Sequence, residues 1–191
     1  MDLPIGPDGH MRCWWAEDSP ALRDYHDQEW GRPVHDELAL FEKLCLEGFQ
    51  AGLSWRTILD KRPAFRSAFA GFDPERLAGF GDDEVAALLT DTRIVRHRGK
   101  IEAAIGNAQR YLELVVEEGS LAGFVWRFAE PDAPAPRSRD EVRTCSPASR
   151  AMADALRRRR WRFIGPTTAY AFQQAMGLVN DHLIGCAFRQ D

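Results

Sequence analysis

Two residues near the end of the chain are spaced for metal chemistry. In "NDHLIGC" (180–186), His182 and Cys186 stand four residues apart. On a helix that interval puts both side chains on one face. A histidine nitrogen and a cysteine sulfur there would make half of a tetrahedral site. Candidates for the other half lie near the start: Cys13, and His26 in "DYHDQEWG". Together Cys13, His26, His182 and Cys186 would form a Cys2His2 set, the usual complement of structural zinc, with no position open for substrate. Such a site would fasten the two ends of the chain together. Two ordinary histidines and two small buried cysteines are the alternative, and spacing alone leaves both readings open. His10, His35 and His97 have no comparable partners.

A second candidate site is "RRRRWRFIGPTTAYAFQQAMGLVNDH" (157–182). A helix ends, the chain turns at Gly165-Pro166, and Thr167 opens a new helix. This is a helix–hairpin–helix layout, expected over about 147–178. Glycine permits a left-handed turn and close approach of the backbone to a ligand. Free N–H groups at the next helix start, around Gly165, Thr167 and Thr168, would bind a DNA phosphate. The preceding arginines add counter-charge. Such a motif positions DNA through its backbone and reads no sequence.

The elements that must hold these residues are helices nearly throughout. Ser19-Pro20 and Gly31 bracket a helix over 20–30. Asp36 opens the next, with Leu38, Phe41 and Cys45 on one face and Leu40, Leu44 and Glu47 on another. A carboxylate on an apolar face needs a partner or a cleft, which singles out Glu47. Ser54 caps a third helix that Pro63 should end or kink. Asp73-Pro74 and Gly81-Asp82 start two short helices. Residues 98–118 carry an unbroken apolar stripe of Ile101, Ala104, Ile105, Ala108, Leu112 and Val115 at helical period. A further helix covers 121–129. The Pro-rich "PDAPAPRSRD" (131–140) is a hinge or a long surface connection. Ser146-Pro147 then caps a helix that turns Ala148, Met152, Ala155 and Leu156 inward, with Arg157–Arg160 in its last turn. The fold class is all-α, with no repeat and no strand alternation.

Totals set bounds. At 191 residues, 45% hydrophobic and 28% charged, the chain reads as one globular domain over 11–191 behind a flexible tail, 1–10. No apolar run is long enough to span a membrane, and the N-terminus has no secretory pattern. Four cysteines, with nothing else pointing to secretion, favour a reducing, cytoplasmic setting with thiols free or on a metal. The net charge of −4 argues against nucleic acid only until its distribution is read. Residues 93–110 carry five Lys/Arg against one Glu, and residues 137–162 nine Arg against three acids. A chain so polarised can meet a polyanion on one face.

The segments "MRCWW", "DYHDQEWG", "LFEKLCLEGFQAGLSW", "IVRHRGKIEAAIGNAQRY" and "FIGPTTAYAFQQAMGLVNDHLIGC" together resemble the DNA-3-methyladenine glycosylase I family, from about residue 11 to 188. The resemblance implies an all-helical helix–hairpin–helix glycosylase, monomeric, acting on double-stranded DNA with alkylated bases. It implies one structural zinc on Cys13, His26, His182 and Cys186, joining the N- and C-terminal segments. It implies a base pocket built of Glu47, Trp55, Tyr25, Trp15 and Trp30, with Glu47 accepting hydrogen bonds from the N–H edge of the base. Methylation at N3 leaves a cationic, weakly bonded base, which aromatic faces favour by about 0.5–2 kcal/mol each. The family is understood to lack the aspartate that related glycosylases place after the hairpin. Asp181 reads as a cap or as support for the metal site, with an electrostatic role as the lesser alternative. No lysine stands out as a Schiff-base former, so the expected enzyme is monofunctional and leaves an abasic site. Two departures, Leu22 one turn before Tyr25 and Phe49 after "LEG", should lie near the pocket and affect selectivity. The Gly52-Leu53 turn is the candidate wedge into the duplex. A zinc-stabilised DNA-binding module without activity is the alternative. A zinc hydrolase is a third reading, disfavoured by a site with four protein ligands.

Overall fold

A computed structural model describes residues 2–190 of the chain; Met1 of the expected tail and Asp191 of the expected domain lie outside the described residues. Nine α-helices form among these residues and no β-strand, only an isolated bridge between Ile5 and Met11. Helix α1 (Pro20–Gln28) starts where the Ser19 hydroxyl accepts from the Leu22 N–H, with Pro20 at the first position. Asp36 does the same for α2 (Glu37–Gln50), and Ser54 for α3 (Trp55–Ala68). Two short helices follow, α4 (Pro74–Ala78) and α5 (Asp82–Thr90). The long α6 (Arg98–Glu118) has the limits that its apolar stripe predicts. Helix α7 (Leu121–Val125) continues as a 3-10 turn, Trp126–Phe128. The last two helices are α8 (Pro147–Arg158) and α9 (Pro166–Ala175).

Helix α2 organises the rest. It touches α3, α6, α7 and α9, and every residue from Leu40 to Phe49 is buried. Its two predicted faces are therefore not an inside and an outside, apart from Leu38, which is exposed. On one side Phe49, Phe65, Phe69 and Phe72 stack in series, each fully buried. Burying one such ring stabilises the fold by about 1.5–3 kcal/mol. In α8, Met152, Ala155 and Leu156 face inward as expected, with Ser149 and Ala153; Ala148 is only partly covered.

Two local expectations change, and a third is narrowed to one of its alternatives, a long connection. Pro63 neither ends nor breaks α3, which runs on to Ala68. Pro63 lies on the exposed side, where water can satisfy the carbonyl it leaves free, and Phe65 holds the next turn in the core. The described part of the expected tail is folded back: Gly6 N–H donates to His10 O, Arg12 N–H to Pro4 O, and the buried Arg12 guanidinium pairs with Asp8 and Asp27. Loop 131–140 is tied into the body, with Ile184 N–H donating to Pro136 O at 2.9 Å. No helix among the described residues is long and apolar enough to cross a membrane.

Candidate active site and metal centre

The two ends of the chain meet as the cysteine and histidine pattern predicts. One ligand atom from each of Cys13, His26, His182 and Cys186 lies within 4.8 Å of the other three, and all four residues are buried. The Cys186 sulfur is 3.6 Å from both His26 Nε2 and His182 Nδ1, and the Cys13 sulfur is 3.8 Å from His182 Nδ1. Edges of about 3.4–3.8 Å are what a tetrahedron around zinc with two sulfurs and two nitrogens requires. The outer contacts fit as well. His26 Nδ1 meets Asp27 Oδ1 at 2.8 Å, and His182 Nε2 meets the Trp30 carbonyl at 3.1 Å. Each acceptor holds the proton on the outer nitrogen and leaves the inner one free for a metal. Hydrogen bonds from Cys13 and the two histidines hold the Cys186 thiol well below its ordinary pKa. All four cysteines are free thiols.

His182 and Cys186 do not sit on a helix. Residues 181–190 form turns, with Cys186 N–H donating to Leu183 O and Gly185 at φ +92°. The turn brings the two ligands together at four-residue spacing without a helix between them. This segment packs in a small cluster of its own, where Cys13, Leu183 and Cys186 are covered by Leu3, Trp14, Trp15, Val142 and Phe188.

A cleft of about 880 Å³ opens beside this cluster. All five expected pocket residues line it: Glu47, Trp55, Tyr25, Trp15 and Trp30. The rings form a continuous wall. Trp15 lies 5.1 Å from Trp30 edge-on and 6.3 Å from Tyr25, and Tyr25 lies 5.3 Å from Trp55. The two histidines of the cluster support that wall, His26 at 5.1 Å from Trp15 and His182 at 4.6 Å from Trp30. Glu47, on α2, reaches the cleft while only 4% exposed. Burial, with the Glu47 charge nearby, keeps the Tyr25 hydroxyl protonated well above its usual range.

The two departures separate. Leu22 lines the cleft as expected. Phe49 turns away from it and stacks on Phe65 at 4.7 Å, so it belongs to the core. Asp181 caps no helix. It lines the cleft, buried, and its Oδ2 accepts from Tyr170 Oη at 2.6 Å and Gln174 Nε2 at 2.8 Å.

The turn between α8 and α9 also differs in detail. Gly165 is extended (φ −91°), and the left-handed residues are Arg160 (φ 63°) and Phe163 (φ 59°). Helix α9 begins at Pro166, one residue before the expected start. No side chain caps it. A Cβ built on Gly165 would meet nothing within 4 Å, so no neighbour in this chain demands a glycine there. Thr167 lines the cleft, and Thr168 is the next residue of α9.

Residues 15–190 match the model of the methyladenine glycosylase family. DNA-3-methyladenine glycosylase 1 of Escherichia coli K12 is 45% identical over 177 residues, covering 92% of this chain and 95% of that protein. A crystal structure of 3-methyladenine DNA glycosylase I superposes with a TM-score of 0.91 at 47% identity, covering 94% of this chain and all of the other. The Staphylococcus aureus enzyme, whose structure addresses 3-methyladenine recognition, has a TM-score of 0.89 at 34% identity, covering 94% and 97%. The chain belongs to the methyladenine glycosylase family.

Two features of this glycosylase were not read from its sequence. The end of the Pro-rich loop and the segment after it supply one side of the cleft through Arg139, Val142, Arg143 and Thr144. They contain none of the motifs that mark the rest of the site. The other is Lys43, buried behind the pocket with its Nζ 2.9 Å from Glu47 Oε1. The interval of four in "EKLCLE" is a signal for such a pair, but on most helices it marks an exposed one. Of the basic stretch 93–110, Lys100 also points inward, donating to the Phe49 and Ala51 carbonyls at 2.9 and 2.6 Å.

Proposed function

We infer that this enzyme removes 3-methyladenine from alkylated DNA by hydrolysing the N-glycosidic bond, as the first step of base-excision repair. The observation that carries this reading is the cleft, where the Glu47 carboxylate faces a wall of Tyr25, Trp55, Trp15 and Trp30. A base inside a duplex cannot reach such a cleft, so the nucleotide must flip out, at a cost of a few kcal/mol that is least for a damaged base. The cationic base then stacks on the rings, and Glu47 accepts from its N–H edge. The methylated base is already a good leaving group, so the pocket has little acid–base work to do.

Double-stranded DNA would lie across the α8–α9 turn, read as a helix–hairpin–helix. The N–H groups of Thr167 and Thr168 are first-turn donors that no capping side chain takes up, and the bare Gly165 allows a phosphate close approach. Leu53, 41% exposed at a turn where Gly52 has φ +80°, is placed beside Ser54 and Trp55 of the cleft to wedge into the gap left by the flipped base. The Cys2His2 cluster would hold one structural zinc. Its contribution is to fasten the chain ends and hold Trp15 and Trp30 in place, and it takes no part in the chemistry.

The test is chromatography of free bases released from methylated duplex DNA. The expected result is free 3-methyladenine and DNA that breaks only on later alkali treatment. Strand breakage by the enzyme itself, or no released base, would contradict the reading.

A further inference from the structure

Lys43 is one of two lysines buried among the described residues, and it is held by the base pocket. Its ammonium has three N–H donors. The ammonium forms an ion pair with Glu47 Oε1 at 2.9 Å, and one N–H donates to Tyr25 Oη at 2.7 Å. The ammonium also sits over the Trp55 ring, 3.4 Å from the centroid. All three partners line the cleft, and Lys43 itself does not. It faces a separate cavity of about 310 Å³ on the far side of the Tyr25–Trp55 wall. The carboxylates on that side have other cations: Glu29 pairs with Arg62, and Glu42 with Arg66. Glu47 Oε2 has no protein donor among the described residues.

We propose that Lys43 is a positioning residue for base recognition, one that anchors Glu47 through Oε1, presents Oε2 to the cleft, and braces Tyr25 and Trp55 from behind. The inference rests on the glycosylase reading above. A solitary buried carboxylate would be costly, and it could rotate away or take up a proton. Paired with Lys43 it keeps one orientation, and its free oxygen becomes a fixed acceptor for the amino edge of the base. The Lys43–Glu47 pair is neutral overall. Selection of the base then depends on the direction of Oε2 and the stacking wall more than on bare negative charge.

The test is a double-mutant cycle on the full chain, using wild type, K43M, E47Q and K43M/E47Q. Binding of free 3-methyladenine is measured by calorimetry, and base release from methylated duplex is measured alongside. Positioning chiefly through Glu47 predicts that K43M weakens binding about tenfold, and that in the E47Q background it costs much less, the remainder being the lost bracing of Tyr25 and Trp55. K43Q keeps an N–H donor without the charge, and should fall between K43M and wild type; it replaces K43M if that variant does not fold. Binding by K43M equal to wild type overturns the inference. So does an equal loss in both backgrounds, which would mean that Lys43 acts on the fold rather than on Glu47. Wild type that releases no 3-methyladenine would remove the function and this inference together. An active wild type with an unmoved K43M removes the inference alone.

Discussion

Stripping the metal from the Cys2His2 cluster should loosen one edge of this enzyme and leave its centre folded. Three of the four ligands lie outside helices, with only His26 in α1. The ligand cluster is separate from the main core, which contains Phe41, Phe49, Phe65 and Ile101. Residues 182–190 have few other anchors beyond Asp181, which α9 holds through Tyr170 and Gln174, chiefly Ile184 N–H to Pro136 O and Ala187 N–H to Met11 O. Free metal at a thousand times its Kd stabilises the folded state by about 4 kcal/mol. For a chain of this size that corresponds to about 8–16 °C in Tm. Differential scanning fluorimetry with and without a strong chelator should show that shift. Far-UV circular dichroism at 25 °C should keep most of its helical signal, and hydrogen exchange should report lost protection in 182–190 and around Cys13. Base release should fall too, because His26 and His182 support Trp15 and Trp30. Ligands must be deprotonated to bind, so falling pH should release the metal in the same order of events. An unchanged Tm in a protein shown to have lost a bound zinc would refute the clasp, and so would global unfolding at 25 °C.

Three further outcomes follow from local geometry. Gly177 has φ +75°, and a Cβ there would sit 2.5 Å from the backbone of Arg32 and Pro33, so G177A should destabilise by more than about 2 kcal/mol, read by urea denaturation. Arg160 carries left-handed strain (φ 63°) that glycine would relieve, so R160G should raise stability by about 0.5–1 kcal/mol in the same assay. Leu53 projects beside the cleft without forming it, so L53A should slow release from duplex DNA severalfold while leaving the affinity for free 3-methyladenine unchanged in calorimetry.

The parts legible in the sequence are those that local chemistry decides. The start of each of α1, α2 and α3 is fixed by a capping side chain next to it in sequence, and α6 by a stripe long enough to leave one solution. Residue types and spacing suffice to assemble the Cys2His2 set as one of two readings, and the family resemblance decides for it; the aromatic wall comes from that resemblance alone, since tryptophans read by themselves belong to the core. What was missed depends on tertiary surroundings. The "EKLCLE" interval gives no sign that α2 is buried on all sides, and that burial turns a common surface pair into the Lys43–Glu47 pair behind the pocket. The family resemblance puts Phe49 near the cleft, but Phe49 is two residues along the helix from Glu47, a rotation of about 200°, and faces the core. His182 and Cys186 were read as helical because their spacing suits a helix; a turn at Gly185 gives the same convergence.

The most direct test of the account is the rate of 3-methyladenine release from methylated duplex, set against 7-methylguanine, for wild type and E47Q. Removing one charged hydrogen-bond acceptor from a buried pocket costs about 1.5–3 kcal/mol, or about ten- to a hundredfold. The account predicts selective release of 3-methyladenine by the wild type, and a loss of that size in E47Q with duplex binding unchanged and a lower Tm, because Lys43 loses its buried counter-charge. Equal rates for the two proteins would mean that Glu47 does not read the base, and would contradict the account at its centre.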